Sequence, residues 1–321
     1  MALRRPRSAS RPAARRALPA DRAGRGLAGA RERAGLQIRA GVAVAAGALV
    51  VATACGSDPA RGSSTYSVGS RATAGAGQPS ASGVQGYEIQ IVSQYPHDTT
   101  SWTEGLEFHQ GQLLESTGRT GQSTLRFEDP TTGEAQAVIP VAKDLYAEGV
   151  TVVGGQALQL TWQDRTLLST PVTDPTQAAV SRRDGAYDGE GWGLCNDGTA
   201  LVMSNGSDQL QFRDPSTFAL VRTVAVTRSG SPLAKLNELE CVNGRVWANV
   251  WLTNDIVVIN PTTGVVEGQV DASSLVPAGI SRNDGNKVLN GIAYNPDTER
   301  FWLTGKLWPV IYEVELRPTQ P

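Results

Sequence analysis

The sequence predicts an all-β protein, a five-bladed β-propeller, from three observations. A hairpin-like segment recurs at Glu104, Glu148, Glu190, Asn237 and Asn290, with starts 44, 42, 47 and 53 residues apart. Repeats of about forty residues, each worth about four strands, are the length of a propeller blade. A second turn follows each hairpin, as in STLRFEDPTTGEA, DQLQFRDPSTFAL and NDIVVINPTTGVV, where Asp-Pro or Asn-Pro opens a tight turn. Long stretches of helical periodicity are absent from the sequence, which argues against an α/β enzyme.

Taken in order, the lone strand YEIQIVSQYP from Tyr87 is expected to complete the last blade and close the ring. The hairpins that follow are EGLEFHQGQLLESTG, EGVTVVGGQALQLTW, EGWGLCNDGTALVMSN, NELECVNGRVWANVW and NGIAYNPDTERFWLTGK. Each alternates apolar and polar residues on both sides of a turn, the pattern of half-buried strands. The propeller is expected over 87–317, after a Gly-, Ser-, Ala- and Thr-rich linker over 56–86 with the composition of a flexible tether.

Alignment of the hairpins on their turn glycine brings two sets of residues into register. One extra turn residue is allowed in the third hairpin, and Phe301 is aligned with Leu113 in the fifth. The inner strands then begin at Glu104, Glu148, Glu190, Asn237 and Asn290. Seven residues past the turn stand Gly118, Trp162, Asn205, Trp251 and Lys306. In an antiparallel hairpin the start of one strand faces the end of its partner, so both sets belong at one end of the channel. The expected mouth holds three carboxylates, two carboxamides, two indoles and one ammonium, with Trp102, Tyr146, Trp192 and Trp308 beside it. A purely structural reading makes Glu-Gly turn chemistry and tryptophan packing between blades. Against it, exposed aromatics grouped with carboxylates at a channel mouth are costly unless something binds there. His97 and His109 are expected at surface or packing positions.

The front end has a different composition. Residues 1–54 hold eleven arginines and two acids, leaving 18 basic and 29 acidic residues in the remainder, a net of −11. So acidic a body excludes nucleic acid and anionic lipid as natural partners. Residues 1–55 read as an export signal: arginines, then the apolar run GVAVAAGALVVATA, too short to span a membrane as a mature helix. The end of that run, Ala52-Thr53-Ala54-Cys55-Gly56, resembles a bacterial lipoprotein cleavage box, with alanine where leucine is usual. The expectation is a lipid-anchored protein on the outer face of the cell membrane, lipidated at Cys55, or otherwise a secreted one. The long arginine-rich region leaves the true translation start open. Cys195 and Cys241 remain as a disulfide pair or as two buried thiols.

The segments WTEGLEF, YAEGV, EGWGL, MSNGSDQLQFRDP, NELECVNGRVWANVW and VLNGIAYNPDTERFWLTGKLWP together resemble the plant and bacterial type of glutaminyl-peptide cyclotransferase. The resemblance covers roughly residues 90–316 and implies a five-bladed propeller that converts N-terminal glutamine to pyroglutamate with release of ammonia. It places the essential acid/base on Glu148, beside Tyr146 where phenylalanine is more usual. It places other substrate-binding positions on Trp162, Trp192, Asn237, Trp251 and Lys306. The family's first segment commonly reads Phe-Thr-Gln-Gly; here it is Trp102-Thr103-Glu104-Gly105. The additional carboxylate of Glu104 either strengthens capture of a substrate ammonium or alters substrate choice. Both readings stay open at this point.

The chemistry suits these residue types. The α-amine attacks the side-chain amide to close a five-membered lactam, and holding the substrate folded contributes roughly 7–11 kcal/mol. One carboxyl between apolar rings has its pKa raised toward the working range and serves as acid and base. Asn237 or Lys306 is suited to donate to the amide oxygen. No cofactor is required, though the channel leaves room for a structural calcium ion; with two histidines in the chain, a His/carboxylate zinc site is not expected. Two alternatives stand beside this reading. One is a calcium-dependent lactonase or esterase using Glu104, Glu148, Asn237 and Asn290 as oxygen ligands. The other is a non-catalytic propeller that binds peptides.

Overall fold

The computed structural model describes residues 83–320, apart from 178, 282 and 283. The expected export signal, the Cys55 lipidation site and most of the expected linker lie outside the described residues. Among the described residues the only helical elements are two short 3-10 turns, Pro175–Gln177 and Ser273–Leu275.

Strand β1 (Gln85–Pro96) precedes the repeats. Unit one is β2 (Thr103–His109), β3 (Gln112–Thr117), β4 (Thr124–Glu128) and β5 (Ala135–Pro140). Unit two is β6 (Ala147–Val153), β7 (Gln156–Thr161), β8 (Leu167–Pro171) and β9 (Ser181–Arg183). Unit three is β10 (Leu194–Asn196), β11 (Leu201–Met203), β12 (Gln209–Arg213) and β13 (Leu220–Ala225). A two-residue ladder, β14 (Thr227–Arg228) with β15 (Ser231–Pro232), follows. Unit four is β16 (Leu236–Val242), β17 (Arg245–Val250), β18 (Asp255–Ile259) and β19 (Val266–Asp271). The last unit is β20 (Leu289–Asn295), β21 (Arg300–Gly305) and β22 (Val310–Pro318), completed by β1 alongside β22. Within each unit consecutive strands pair antiparallel.

The expected closing strand is therefore present, with one addition. It starts at Gln85, inside the stretch assigned to the linker, and its first residues pair parallel with β19 at Gln85↔Gly268 and Tyr87↔Val270. That pairing fuses the last two units into one eight-stranded sheet. β1 runs antiparallel to β22, with Pro96 opposite Val310 and Tyr87 opposite Pro318.

The core is a series of apolar layers between neighbouring units. Units one and two share Leu114, Leu125, Phe127, Val150 and Ala157. Units two and three share Leu160, Leu167, Leu201 and Met203; units three and four share Phe212, Leu239, Val246 and Ile259. Units four and five share Trp247, Ile256, Phe301 and Leu303. Leu106 and Leu113 of unit one meet Ala293 and Trp302 of the last unit, which closes the circle. Full burial of one such side chain contributes roughly 1.5–3 kcal/mol, so these layers hold the sheets together as a β-propeller.

The repeated sequence motifs have local causes. In the turn after the third strand, Asp129, Asp214 and Asn260 each accept backbone N–H bonds from the two residues two and three positions on, at 2.7–3.2 Å. Proline fixes the second position of that turn and the side-chain oxygen closes it. The Glu-Gly motif does something the sequence did not reveal. Pairing between the first two strands slips at Ala147/Val150, Leu236/Leu239, Leu289/Ile292 and Thr103/Gly105. Each slip is a β-bulge, and it turns one side chain off the regular alternation. In unit two glycine follows in the bulge because the inner strands crowd there: a Cβ on Gly149 would lie 2.5 Å from the Trp192 carbonyl oxygen and 2.6 Å from the Leu194 nitrogen; unit four carries Glu238 at the matching place.

Candidate active site

At the strand-start end of the channel lies a pocket of about 260 Å³. It is lined by Trp102, Glu104, Tyr146, Glu148, Trp162, Trp192, Asn237, Trp251 and Lys306, together with Gly285 and Asn286. All nine residues singled out from the hairpins as catalytic or substrate-binding thus meet in one place. Gly285 and Asn286 were missed because they stand in the loop before β20, outside any repeat.

One wall is ionic. The Glu104 carboxylate accepts from Lys306 Nζ at 2.7 Å on Oε1 and 2.6 Å on Oε2, and from the Tyr146 hydroxyl at 2.7 Å. The ion pair is buried, with side-chain exposures of 2% for Glu104 and 9% for Lys306. The Lys306 ammonium also lies 5.6 Å from the Trp102 ring centroid, and the Arg119 guanidinium covers that ring at 3.9 Å. Glu104 is therefore fully partnered by the protein.

Glu148 is buried beside this wall. Burial pushes its carboxyl well above the ordinary range, and the Glu104 charge adds to the shift. The Lys306 ammonium opposes it; a hydrogen bond shared with Glu104 and the Glu190 charge reinforce it. Burial and the neighbouring charge both favour its protonated form. The same surroundings raise Tyr146: burial first, then the charges of Glu104 and Glu148. Tyr146 therefore stays a neutral hydrogen-bond donor.

The other wall is indole. Trp162 meets Tyr146 edge-on at 5.7 Å, and Trp192 meets Trp251 edge-on at 5.5 Å and 87°. The room for Trp192 comes from Gly206, whose φ of +77° excludes most residues and whose missing Cβ would sit 2.6 Å from the indole. Outside the pocket, Glu190 accepts both the Trp162 and the Trp192 indole N–H.

Several expectations are corrected. Glu190 lies at the rim behind the indoles, since unit three starts its first strand only at Leu194 and lacks the paired bulge. Asn290 lies behind Glu104, donating to the Thr103 carbonyl at 2.9 Å. Asn205 turns back to accept the Ser207 N–H and hydroxyl, an Asx turn that removes it from the mouth. Trp308 is fully buried and donates to the Lys287 carbonyl, so it supports the loop rather than lining the pocket. Of the two positions expected for the histidines, His97 takes the packing one: it bonds Glu115 at 3.0 Å and the Trp308 carbonyl at 2.7 Å, in a buried network with Ser101, Thr103 and Arg126. His109 is half-buried. Cys195 and Cys241, left undecided above, form a disulfide between β10 and β16.

A β-propeller whose mouth sets a buried carboxyl of raised pKa between a buried ion pair and a wall of indoles defines a class: propellers with a channel pocket fitted to an organic ligand. The comparisons sharpen that class. The glutamine cyclotransferase family pattern matches residues 65–316. A glutaminyl-peptide cyclotransferase of Arabidopsis thaliana is 34% identical over 232 residues, 72% of each chain. The crystal structure of Myxococcus xanthus glutaminyl cyclase superposes with a TM-score of 0.68 at 38% identity, covering 74% of this chain and all of that one. The chain belongs to the glutamine cyclotransferase family.

Proposed function

We propose that this chain is a glutaminyl-peptide cyclotransferase that cyclises the N-terminal glutamine of peptides or proteins to pyroglutamate and releases ammonia. The observation that carries this reading is Glu148, a buried carboxyl with a raised pKa facing a pocket sized for one side chain. A neutral carboxyl has one donor and one acceptor oxygen. Glu148 gives its proton to the departing amide nitrogen and takes one from the attacking amine, so it ends as it began. The bond formed is amine nitrogen to amide carbon; the bond broken is amide carbon to its own nitrogen, which leaves as ammonia.

Substrate holding falls to the other residues. Trp162, Trp192, Trp251 and Trp102 wall the folded side chain and exclude water, which brings amine and amide together. Asn237, and the donors of Lys306 that Glu104 leaves free, stabilise the amide oxygen as charge develops. Because Glu104 is already held by Lys306 and Tyr146, its role is to set the charge around Glu148 rather than to bind the substrate ammonium. The amine reacts in its neutral form, which an α-amino pKa of about 7.7–8.0 makes accessible near neutral pH. The test is incubation with a Gln-initiated dipeptide: ammonia and the matching mass loss are expected, and an unchanged dipeptide overturns the reading.

The calcium-dependent lactonase reading is not favoured. Among the described residues no three His, Cys, Asp or Glu side chains converge as a metal-holding group. A structural calcium ion stays a separate proposal. A candidate oxygen for it is Glu240 Oε2, which has no hydrogen-bond partner, whereas burial pushes Glu238 and Glu240 well up and Glu107 to about 7, which weakens them as cation ligands. Glu240 is the oxygen such an ion would use first, although Glu238 is already engaged by the Ile292 and Leu106 N–H groups. A melting temperature that falls after chelation and recovers with calcium supports the ion; an unchanged one removes it.

Five units of four strands, with the eight-stranded sheet counted as two, support the five-bladed reading. The Cys195–Cys241 disulfide supports export, because disulfides persist in oxidising compartments. Lipid attachment at Cys55 is tested by mass spectrometry of the membrane-bound protein and by Cys55→Ala, which should release it to the medium.

A further inference from the structure

The geometry points to Glu190 as a positioning residue for cyclisation, one that acts by gripping the two indoles that wall the pocket. The inference rests on the proposed cyclase reading for its effect on rate, but the grip itself is independent of it.

Glu190 Oε2 accepts the Trp162 indole N–H at 2.8 Å and the Trp192 indole N–H at 3.0 Å. Its Oε1 accepts Gln163 Nε2 at 2.9 Å. One carboxylate thus ties together side chains from two successive units, two of them facing the substrate side. Charge-assisted bonds are about twice as strong as neutral ones, and three on one group define its position. Partial burial pushes the Glu190 carboxyl up, yet the bonds from Gln163, Trp192 and Trp162 hold it below its usual range.

The indoles need this grip to different degrees. Trp192 is backed by Gly206 and by the edge of Trp251. Trp162 is 37% exposed, packs edge-on against Tyr146, and has Glu190 as its hydrogen-bond partner. Without Glu190 the Trp162 ring gains rotamer freedom at the mouth. The bonds also occupy both N–H groups, so Trp162 and Trp192 offer ring faces and edges rather than donors to the substrate. Folding a glutamine side chain back on its own amine demands a wall of fixed shape, and a misplacement of about 1 Å costs on the order of 10²-fold in rate.

The test uses the whole soluble propeller. Glu190→Ala should lower kcat by about 10- to 100-fold with a smaller change in KM, while Glu190→Gln, which keeps one acceptor oxygen, should recover part of the loss. In a Trp162→Phe/Trp192→Phe background, adding Glu190→Ala should cost nothing more, because the bonds it makes are already gone. Fully additive losses would show that Glu190 acts by another route and overturn the inference. The grip is also read without substrate: the Trp162 and Trp192 indole N–H resonances should shift and lose exchange protection in Glu190→Ala. Unmoved resonances sink the inference even if the parent enzyme is fully active. Moved resonances in a protein that leaves Gln-peptides untouched sustain the grip and reject the cyclase reading instead.

Discussion

The two walls of the pocket hold their charges in opposite ways. On the side of units one and five, Glu104 and Lys306 are almost wholly buried and bonded to each other. On the side of units two and three, Glu190 stays at the rim and is bonded to neutral N–H donors. A buried charge survives only if it is paired, whereas a rim carboxylate keeps its water and spends its lone pairs on orientation. The lesson is that the same motif position, a glutamate before a glycine, becomes an electrostatic element or a mechanical one according to its depth. Glu148, from unit two, is buried like Glu104 yet lacks a dedicated cation, and burial pushes its carboxyl well up instead.

The sharpest way to break this comparison is Glu148→Gln. It should fold and melt like the parent but lose at least 10²–10⁴-fold in kcat, the usual worth of general acid–base catalysis. Retained activity would mean that the difference between the walls has nothing to do with proton transfer. Next comes Lys306→Met, which leaves Glu104 buried and unpaired. A stability loss of about 3–5 kcal/mol is expected in denaturant titration, with most of it recovered in Glu104→Gln/Lys306→Met. On the opposite wall Glu190→Ala should cost only about 1–2 kcal/mol, because the carboxylate lies at the rim. Equal losses on both sides would erase the distinction of depth.

The smallest effect sharpens the comparison through pH. Activity should rise as the substrate ammonium loses its proton and fall on the alkaline side as Glu148 ionises. Glu104→Gln removes the nearby charge that raises Glu148, so the Glu148 pKa falls and the alkaline limb of kcat/KM moves to lower pH. An alkaline limb that stays in place would show that burial alone sets the Glu148 carboxyl.

Much of this was legible in the sequence, for a definite reason. Hairpin spacing and the two-residue alternation of strands say which end of a blade a residue occupies. That is why Glu148, Trp162, Trp251 and Lys306, far apart along the chain, were placed together. What alternation does not report is depth or local backbone turns. The bulge that aims Glu148 inward leaves no mark on the apolar pattern beyond the glycine that follows it. Asn205 and Trp308 fell at the right end but were turned away, one by its own Asx turn and the other by burial under Gly305. Gly285 and Asn286 belong to no repeat, so no periodicity could find them. The Cys195–Cys241 link needed coordinates because two cysteines on neighbouring inner strands are close only at one register.

The course of the first strand has a practical outcome. Because β1 rises toward Pro96 and β22 descends to Pro318, Gln85 and Pro318 both lie at the end of the propeller away from the pocket. A tag joined after Pro318 therefore starts from the face opposite the pocket.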